Sequence, residues 1–114
     1  MYTYGSMDFK PPQPMSREKM RQLRVTTIVK QIYRETIIQA EREYCTNYHY
    51  IVPTSFTDIT NTTKVVPPFY KENMPAILVG LQEAFPDCSI KNEMVLKGPG
   101  AYKELYNTII IDWS

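Results

Sequence analysis

The run Ile109-Ile110-Ile111, close to the end of the 114-residue sequence, constrains the fold more than any other feature. Successive side chains of a β-strand point to opposite faces of a sheet, so this run places apolar side chains on both faces. Such a pattern is typical of a strand in the middle of a sheet, not of an edge strand. The sequence therefore predicts a sheet with residues 104–113 at its centre, packed against helices.

The first predicted helix covers residues 16–45. Ser16 is a suitable N-cap, and Glu18 places a negative charge in the first turn, where it favours the helix dipole. The β-branched run of residues 25–29 favours a strand locally, but the periodic flanks outweigh it. The apolar side chains recur at three- and four-residue steps and form one stripe, made of Met20, Leu23, Ile28, Ile32, Thr36, Ala40 and Tyr44.

A second helix is predicted after residue 73. Asn73 is a suitable cap, Pro75 falls in the first turn, where its missing N–H costs little, and Pro86 ends the helix. Its apolar residues have the spacing of a stripe that faces a core, and they are Met74, Ile77, Leu78, Leu81 and Phe85.

Three strands complete the predicted domain. They cover residues 48–52, 88–97 and 104–113, and Gly98-Pro99-Gly100 between the last two indicates a tight turn. The polar segment 54–66 reads as a surface loop or an irregular edge strand. The element order is α-β-α-β-β, which predicts the α+β class, with two helices packed on one face of a small, mostly antiparallel sheet.

The predicted domain boundary falls after residue 15. Pro11, Pro12 and Pro14 favour an extended segment, so residues 1–15 are predicted to form a Pro-rich tail. Residues 16–114 are predicted to form a single domain, which agrees with the usual domain size.

The reactive side chains do not match a known catalytic or metal-binding motif. The sequence has one histidine, His49, and two cysteines, Cys45 and Cys88, and these could supply at most three ligands to a closed zinc site. The Gly98-Pro99-Gly100 turn lacks the lysine of a phosphate-binding loop. We therefore predict no catalytic residues, no metal and no cofactor, and we expect a protein that is not an enzyme. A small hydrolase-like enzyme using His49 or Cys88 is the weakest alternative.

Charge is distributed unevenly along the chain. Residues 1–34 contain seven basic and two acidic side chains, whereas residues 35–114 contain six basic and ten acidic ones. A basic helix face can bind an acidic protein groove or a nucleic-acid backbone, or it can simply be solvated. The candidate residues for binding a partner or nucleic acid are Arg17, Arg21, Arg24, Lys30 and Arg34.

The function predicted from these patterns is a non-enzymatic protein-interaction or structural component. A protein partner or self-association is expected, and a nucleic-acid-binding module that uses the first helix is the alternative. No apolar run reaches the ~20 residues that cross a bilayer. The sequence also lacks the pattern of a signal peptide and of a disulfide framework, so we expect an intracellular location and no membrane partner.

Two C-terminal segments carry a resemblance to a known group of proteins. Phe85-Pro86-Asp87-Cys88-Ser89-Ile90 and Ile109-Ile110-Ile111-Asp112-Trp113-Ser114 resemble stretches of small uncharacterised proteins of nucleocytoplasmic large DNA viruses. The resemblance implies a viral origin, and it implies the cytoplasm of the host cell or the virion as location. A minor virion protein would be one form of the predicted structural component. No activity or catalytic residue is carried over.

Overall fold

The computed structural model describes residues 14–56 and 64–114. In chain order the elements are α1 (Arg17–Ala40), β1 (Asn47–Ile51), β2 (Ser55–Phe56), β3 (Lys64–Val65), α2 (Pro68–Ala84), β4 (Ser89–Lys97) and β5 (Glu104–Asp112). The α+β class and the predicted order of the main elements are confirmed. Within the segment predicted as a loop or irregular edge strand, β2 and β3 pair with each other. The predicted Pro-rich tail lies outside the described residues except for Pro14 and Met15.

Helix α1 begins as predicted but ends earlier. The Ser16 side chain accepts a hydrogen bond from the backbone N–H of Lys19 at 3.1 Å, so it caps the helix. The helix ends at Ala40, and the prediction that it continues to residue 45 is wrong. The chain must turn back before β1 starts, and Tyr44, assigned to the apolar stripe, is 91% exposed beyond the helix end.

The buried stripe of α1 is shorter than the predicted one. Its buried members are Val25, Ile28, Ile32 and Thr36. Met20 and Leu23, which the periodicity also assigned to the core, are 59% and 57% exposed. The first two turns of α1 therefore extend past the core.

Helix α2 begins at Pro68, before the predicted cap. Asn73 lies inside the helix, where its side-chain amide donates to the Phe69 carbonyl at 2.9 Å, and Pro75 is an interior proline. Proline is well tolerated at the first helical position, and the extra turn buries Tyr70, which is 6% exposed. Burial of this ring gives the added turn a packing contact that the sequence pattern did not indicate.

The sheet has β5 at its centre, with β1 and β4 as antiparallel neighbours. This confirms the prediction from the isoleucine run. Ile109 and Ile111 are fully buried and share one core with residues of both helices, among them Ile32, Ile77 and Leu81. Ile110 points to the opposite face and is partly exposed. We call these the helix-covered face and the helix-free face.

The two helices run in the same direction. Val29 of α1 packs against Gly80 of α2, and one turn further along, the Tyr33 ring stacks on Phe85 with centroids 5.1 Å apart. A Cβ atom at residue 80 would lie 2.9 Å from a Val29 methyl carbon, so glycine permits this close approach. Both helices therefore begin at the same end of the domain.

The turn between β4 and β5 lies at the end where the helices begin, because β4 follows α2 and runs back beneath it. The predicted tight turn is present: Gly98 has φ +131° and Gly100 has φ +54°. A side chain at residue 98 would also collide with the carbonyl oxygen of Tyr102. The turn thus requires glycine at residue 98 for both its dihedral angle and its space.

Candidate interaction surfaces

The five basic residues predicted to bind a partner are all exposed, but they do not share one face of α1. At about 100° per residue, Arg17, Arg21 and Arg24 lie within about 60° of one another. Lys30 and Arg34 lie about 130° away from that group, on the side opposite to the buried stripe. The structure therefore divides the predicted basic surface into an arginine group and a separate pair.

Two members of the arginine group have contacts within the chain. Arg21 forms an ion pair with Glu18 at 2.9 Å, and the Arg24 guanidinium lies over the Phe69 ring, 5.2 Å from its centroid. Each contact is weak at an exposed site, about 0.5–1 kcal/mol at most. The Glu18 carboxylate offsets the charge of Arg21, and the contact with Phe69 holds the Arg24 guanidinium against the protein surface, so both contacts compete with binding to a phosphate backbone. A binding role for these residues stays a prediction.

The histidine and the two thiols do not form one site. His49 lies on the helix-free face, opposite Ile110 in the register of β1 and β5. Cys88 packs against the core on the other side of the sheet. The Cys45 sulfur accepts a hydrogen bond from the Gln39 side-chain amide at 2.8 Å. Burial, followed by the carboxylates of Asp87 and Asp112, raises the pKa of the Cys88 thiol, which lowers the fraction of reactive thiolate.

The His49 side chain binds the end of the β4–β5 hairpin. Lys97 Nζ donates to His49 Nδ1 across 2.9 Å. Burial lowers the pKa of His49, the Lys97 ammonium lowers it further, and the Glu93 carboxylate opposes both effects. The neutral imidazole is therefore the form that accepts this hydrogen bond.

The contact between Lys97 and His49 shows that the hairpin bends. In the sheet register Lys97 is opposite Glu104, whereas His49 is opposite Ile110. In a flat strand these positions would be about 20 Å apart. The end of the hairpin therefore curves over the helix-free face, which agrees with the complete burial of Thr108 on that face.

On the convex side of this bend, three large apolar side chains are exposed. Met94 and Leu96 of β4 are each 56% exposed, and Leu105 of β5 is 61% exposed. They lie on the helix-covered face, as the pairing of Leu96 with Leu105 shows. The helices do not reach this far along the hairpin. We call these three residues the hairpin patch.

A groove adjoins the hairpin patch. It has a volume of 460 Å³ and lies between the start of α2 and the sheet. Met94 pairs with Asn107, which lines the groove, so the groove and the patch form one surface. The other lining residues are Val66, Tyr70, Lys71, Met74 and Asn92.

The outer edge of β4 is a further unoccupied feature of the same region. In the part of the chain that the structure describes, strand β4 lies at the edge of the three-stranded sheet and pairs only with β5. Within the described residues its outward backbone groups have no hydrogen-bond partner. An edge strand of this kind is a template on which another strand can pair.

The sequence contains a signal for part of the hairpin patch but not for its exposure. Ile90, Met94 and Leu96 stand at even spacings in β4, so they share one face of the strand, as the register with β5 shows. Ile90 packs against the core, whereas the other two do not. The length of β4, at nine residues, is the signal that could have suggested a strand longer than the layer covering it.

The described residues include no group of three or more His, Cys, Asp or Glu side chains placed to hold a metal ion. Neither helix in this part of the chain combines the length and apolar character needed to span a bilayer. Comparisons with models of known families, with curated proteins and with solved structures gave no match to the chain.

Proposed function

We propose that the chain is a non-enzymatic protein-interaction or structural component, and that the hairpin patch belongs to its binding surface. The exposure of Met94, Leu96 and Leu105 on one face of a regular hairpin carries this proposal. Contiguous apolar surface that remains in water is typical of a site that a partner covers. The adjacent groove enlarges the same surface, and so does the outer edge of β4, which pairs with no strand among residues 14–56 and 64–114.

The arrangement of the reactive groups supports a binding role over catalysis. His49 is engaged by Lys97, and the two thiols lie elsewhere. A general base or nucleophile needs a second group within hydrogen-bond reach of the substrate. A minor virion protein is the form of structural component that the viral resemblance favours, and the host-cell cytoplasm or the virion would then be its location.

Site-specific photocrosslinking tests the proposed surface. Benzoylphenylalanine replaces Leu105 in one variant and Val79 in a matched control, since both side chains are similarly exposed, at 61% and 58%, but Val79 lies on α2. In cells producing the protein, residue 105 should give a discrete adduct with another chain, and residue 79 should give none. Equal or absent cross-linking at the two positions would contradict the proposal.

The arginine group supports nucleic-acid binding as a second candidate, because Arg17, Arg21 and Arg24 share a face. Electrophoretic mobility shifts with DNA and RNA at low salt test it. Replacing Arg21 and Arg24 together by glutamate should abolish a shift, whereas replacing Lys30 and Arg34 on the other side of α1 should have less effect. No shift of the unmodified protein at low salt would end this candidate.

A further inference from the structure

Strand β4 carries its charges in an order that is complementary to itself. On the helix-free face, Lys91 and Glu93 stand on either side of Asn92, and both are exposed. Within the described residues neither belongs to an ion pair. When two copies of an antiparallel edge strand pair about a two-fold axis at Asn92, Lys91 of each copy lies opposite Glu93 of the other.

The apolar residues fit the same register. On the helix-covered face, Met94 falls opposite Ile90 of the second copy, and Leu96 falls level with Cys88, the residue that precedes β4. Met94 and Leu96 are the exposed β4 members of the hairpin patch, whereas Ile90 and Cys88 border the core. The residues at the edge of the core in one copy would therefore cover the exposed Met94 and Leu96 side chains of the other.

Neighbouring registers are less favourable. An axis at residue 93 places the two copies of Glu93 opposite each other, and an axis at residue 91 does the same for Lys91. Both registers are unfavourable, because like charges directly opposite each other destabilise a pair of strands. An axis at Val95 pairs Glu93 with Lys97, but the Lys97 side chain is already hydrogen-bonded to His49. Fewer residues of β4 would also be paired in that register, because Val95 lies near the end of the strand. The charges thus favour the axis at Asn92.

We propose that the partner of this surface is a second copy of the chain, joined through antiparallel pairing of the two β4 strands about Asn92. The resulting sheet has six strands in the order β1-β5-β4-β4-β5-β1. This inference rests on the proposed function, because it names the partner of the surface described there. Backbone hydrogen bonds hold the two copies together, and the side chains fix the register.

Charge exchange tests the register. Each single variant, Lys91→Glu or Glu93→Lys, places two pairs of like charges opposite each other in the dimer. The double variant exchanges the two charges, so that opposite charges face each other again. By sedimentation equilibrium, each single variant should raise the dimer dissociation constant about tenfold or more, and the double variant should return it to near the original value. Circular dichroism confirms that each variant is folded, which is expected because both positions are exposed.

A cysteine on the axis gives an independent measure. Directly opposite residues of an antiparallel pair have Cα atoms about 4.5–5.5 Å apart, which is within the range of a disulfide. Asn92→Cys should therefore form a disulfide-linked dimer under mild oxidation. Ala101→Cys in the hairpin turn is the matched exposed control and should not.

The outcomes distinguish this inference from the proposed function. A monomer at every concentration, or a dimer in which the double variant behaves like the single ones and Asn92→Cys stays unlinked, overturns pairing through β4. If residue 105 still cross-links to a different protein, the proposed function stands and the second copy is the wrong partner. If neither residue 105 cross-links nor the chain dimerises, both fail.

Discussion

The hydrogen bond between Tyr50 and Tyr70 gives a quantitative prediction, because it joins β1 to the unpredicted first turn of α2. The two hydroxyl oxygens are 3.0 Å apart, and each residue is 6% exposed. Removing one partner of a buried hydrogen bond leaves the other unsatisfied, at a cost of about 1–3 kcal/mol, whereas removing both can be nearly neutral. The groove beside Tyr70 admits water, so we expect each single replacement by phenylalanine to cost about 1–2 kcal/mol.

The assay is urea unfolding followed by the fluorescence of Trp113, which packs against the core. Each single variant, Tyr50→Phe or Tyr70→Phe, should lower the midpoint by about 0.5–1 M. The double variant should lose no more stability than either single variant, because no unpaired hydroxyl remains. All proteins are compared at one concentration, since self-association adds to apparent stability. Additive losses, or no loss in the single variants, would refute the contact and the early start of α2.

Two further predictions concern the hairpin and the helix pair. Because the pKa of His49 is lowered in the folded state, its contribution to stability is fully present above the ordinary pKa near 6.5 and is lost as pH falls through the folded value. When the pH is lowered from 7.5 to 5.5, the urea midpoint of the original protein should therefore decrease more than that of the His49→Asn variant. Asparagine still offers Lys97 a hydrogen-bond acceptor, but it does not titrate. An equal decrease in both proteins would contradict the contact. In the original protein, Gly80→Ala should lower the melting temperature because the added methyl group collides with Val29. In the Val29→Ala variant this collision is absent, so Gly80→Ala should raise the free energy of unfolding by about 1 kcal/mol, since alanine has the higher helix propensity. The same sign in both backgrounds would show that the helices are not in close contact there.

Patterns that depend on local periodicity predicted the centre of the fold. The isoleucine run correctly placed β5 between two neighbours, and the spacing of Ile77 and Leu81 correctly predicted the buried face of α2. These predictions succeed because the alternation of side chains in a strand or helix fixes which of them share a face. That information is present in the order of the residues alone.

Helix ends were less predictable, because they depend on tertiary contacts. The sequence pattern predicted the start of α2 after residue 73, although proline at the first helical position is compatible with the earlier start at Pro68 that buries Tyr70. At the end of α1, the prediction included Tyr44 because periodicity does not show where the chain must turn back towards the sheet.

The exposure of the hairpin patch depends on how far along the sheet the helices extend. The even spacing of Met94 and Leu96 places them on one face of β4, but the sequence does not show how far along β4 helix α2 extends. The bend that brings Lys97 to His49 joins residues that are distant in the chain and in the sheet register. The arginines were identified correctly as exposed, yet Lys30 and Arg34 are separated from them by the rotation of the helix.

Residue-resolved amide hydrogen exchange tests the central claim, that the outer edge of β4 is the surface through which this chain associates. In an edge strand, alternate backbone N–H groups point outward and exchange with solvent. Between low and high protein concentration, the outward-pointing amides of β4 should become protected, whereas those of the β1 edge should not change. Constant exchange along β4, or protection that rises along β1 instead, would contradict this account.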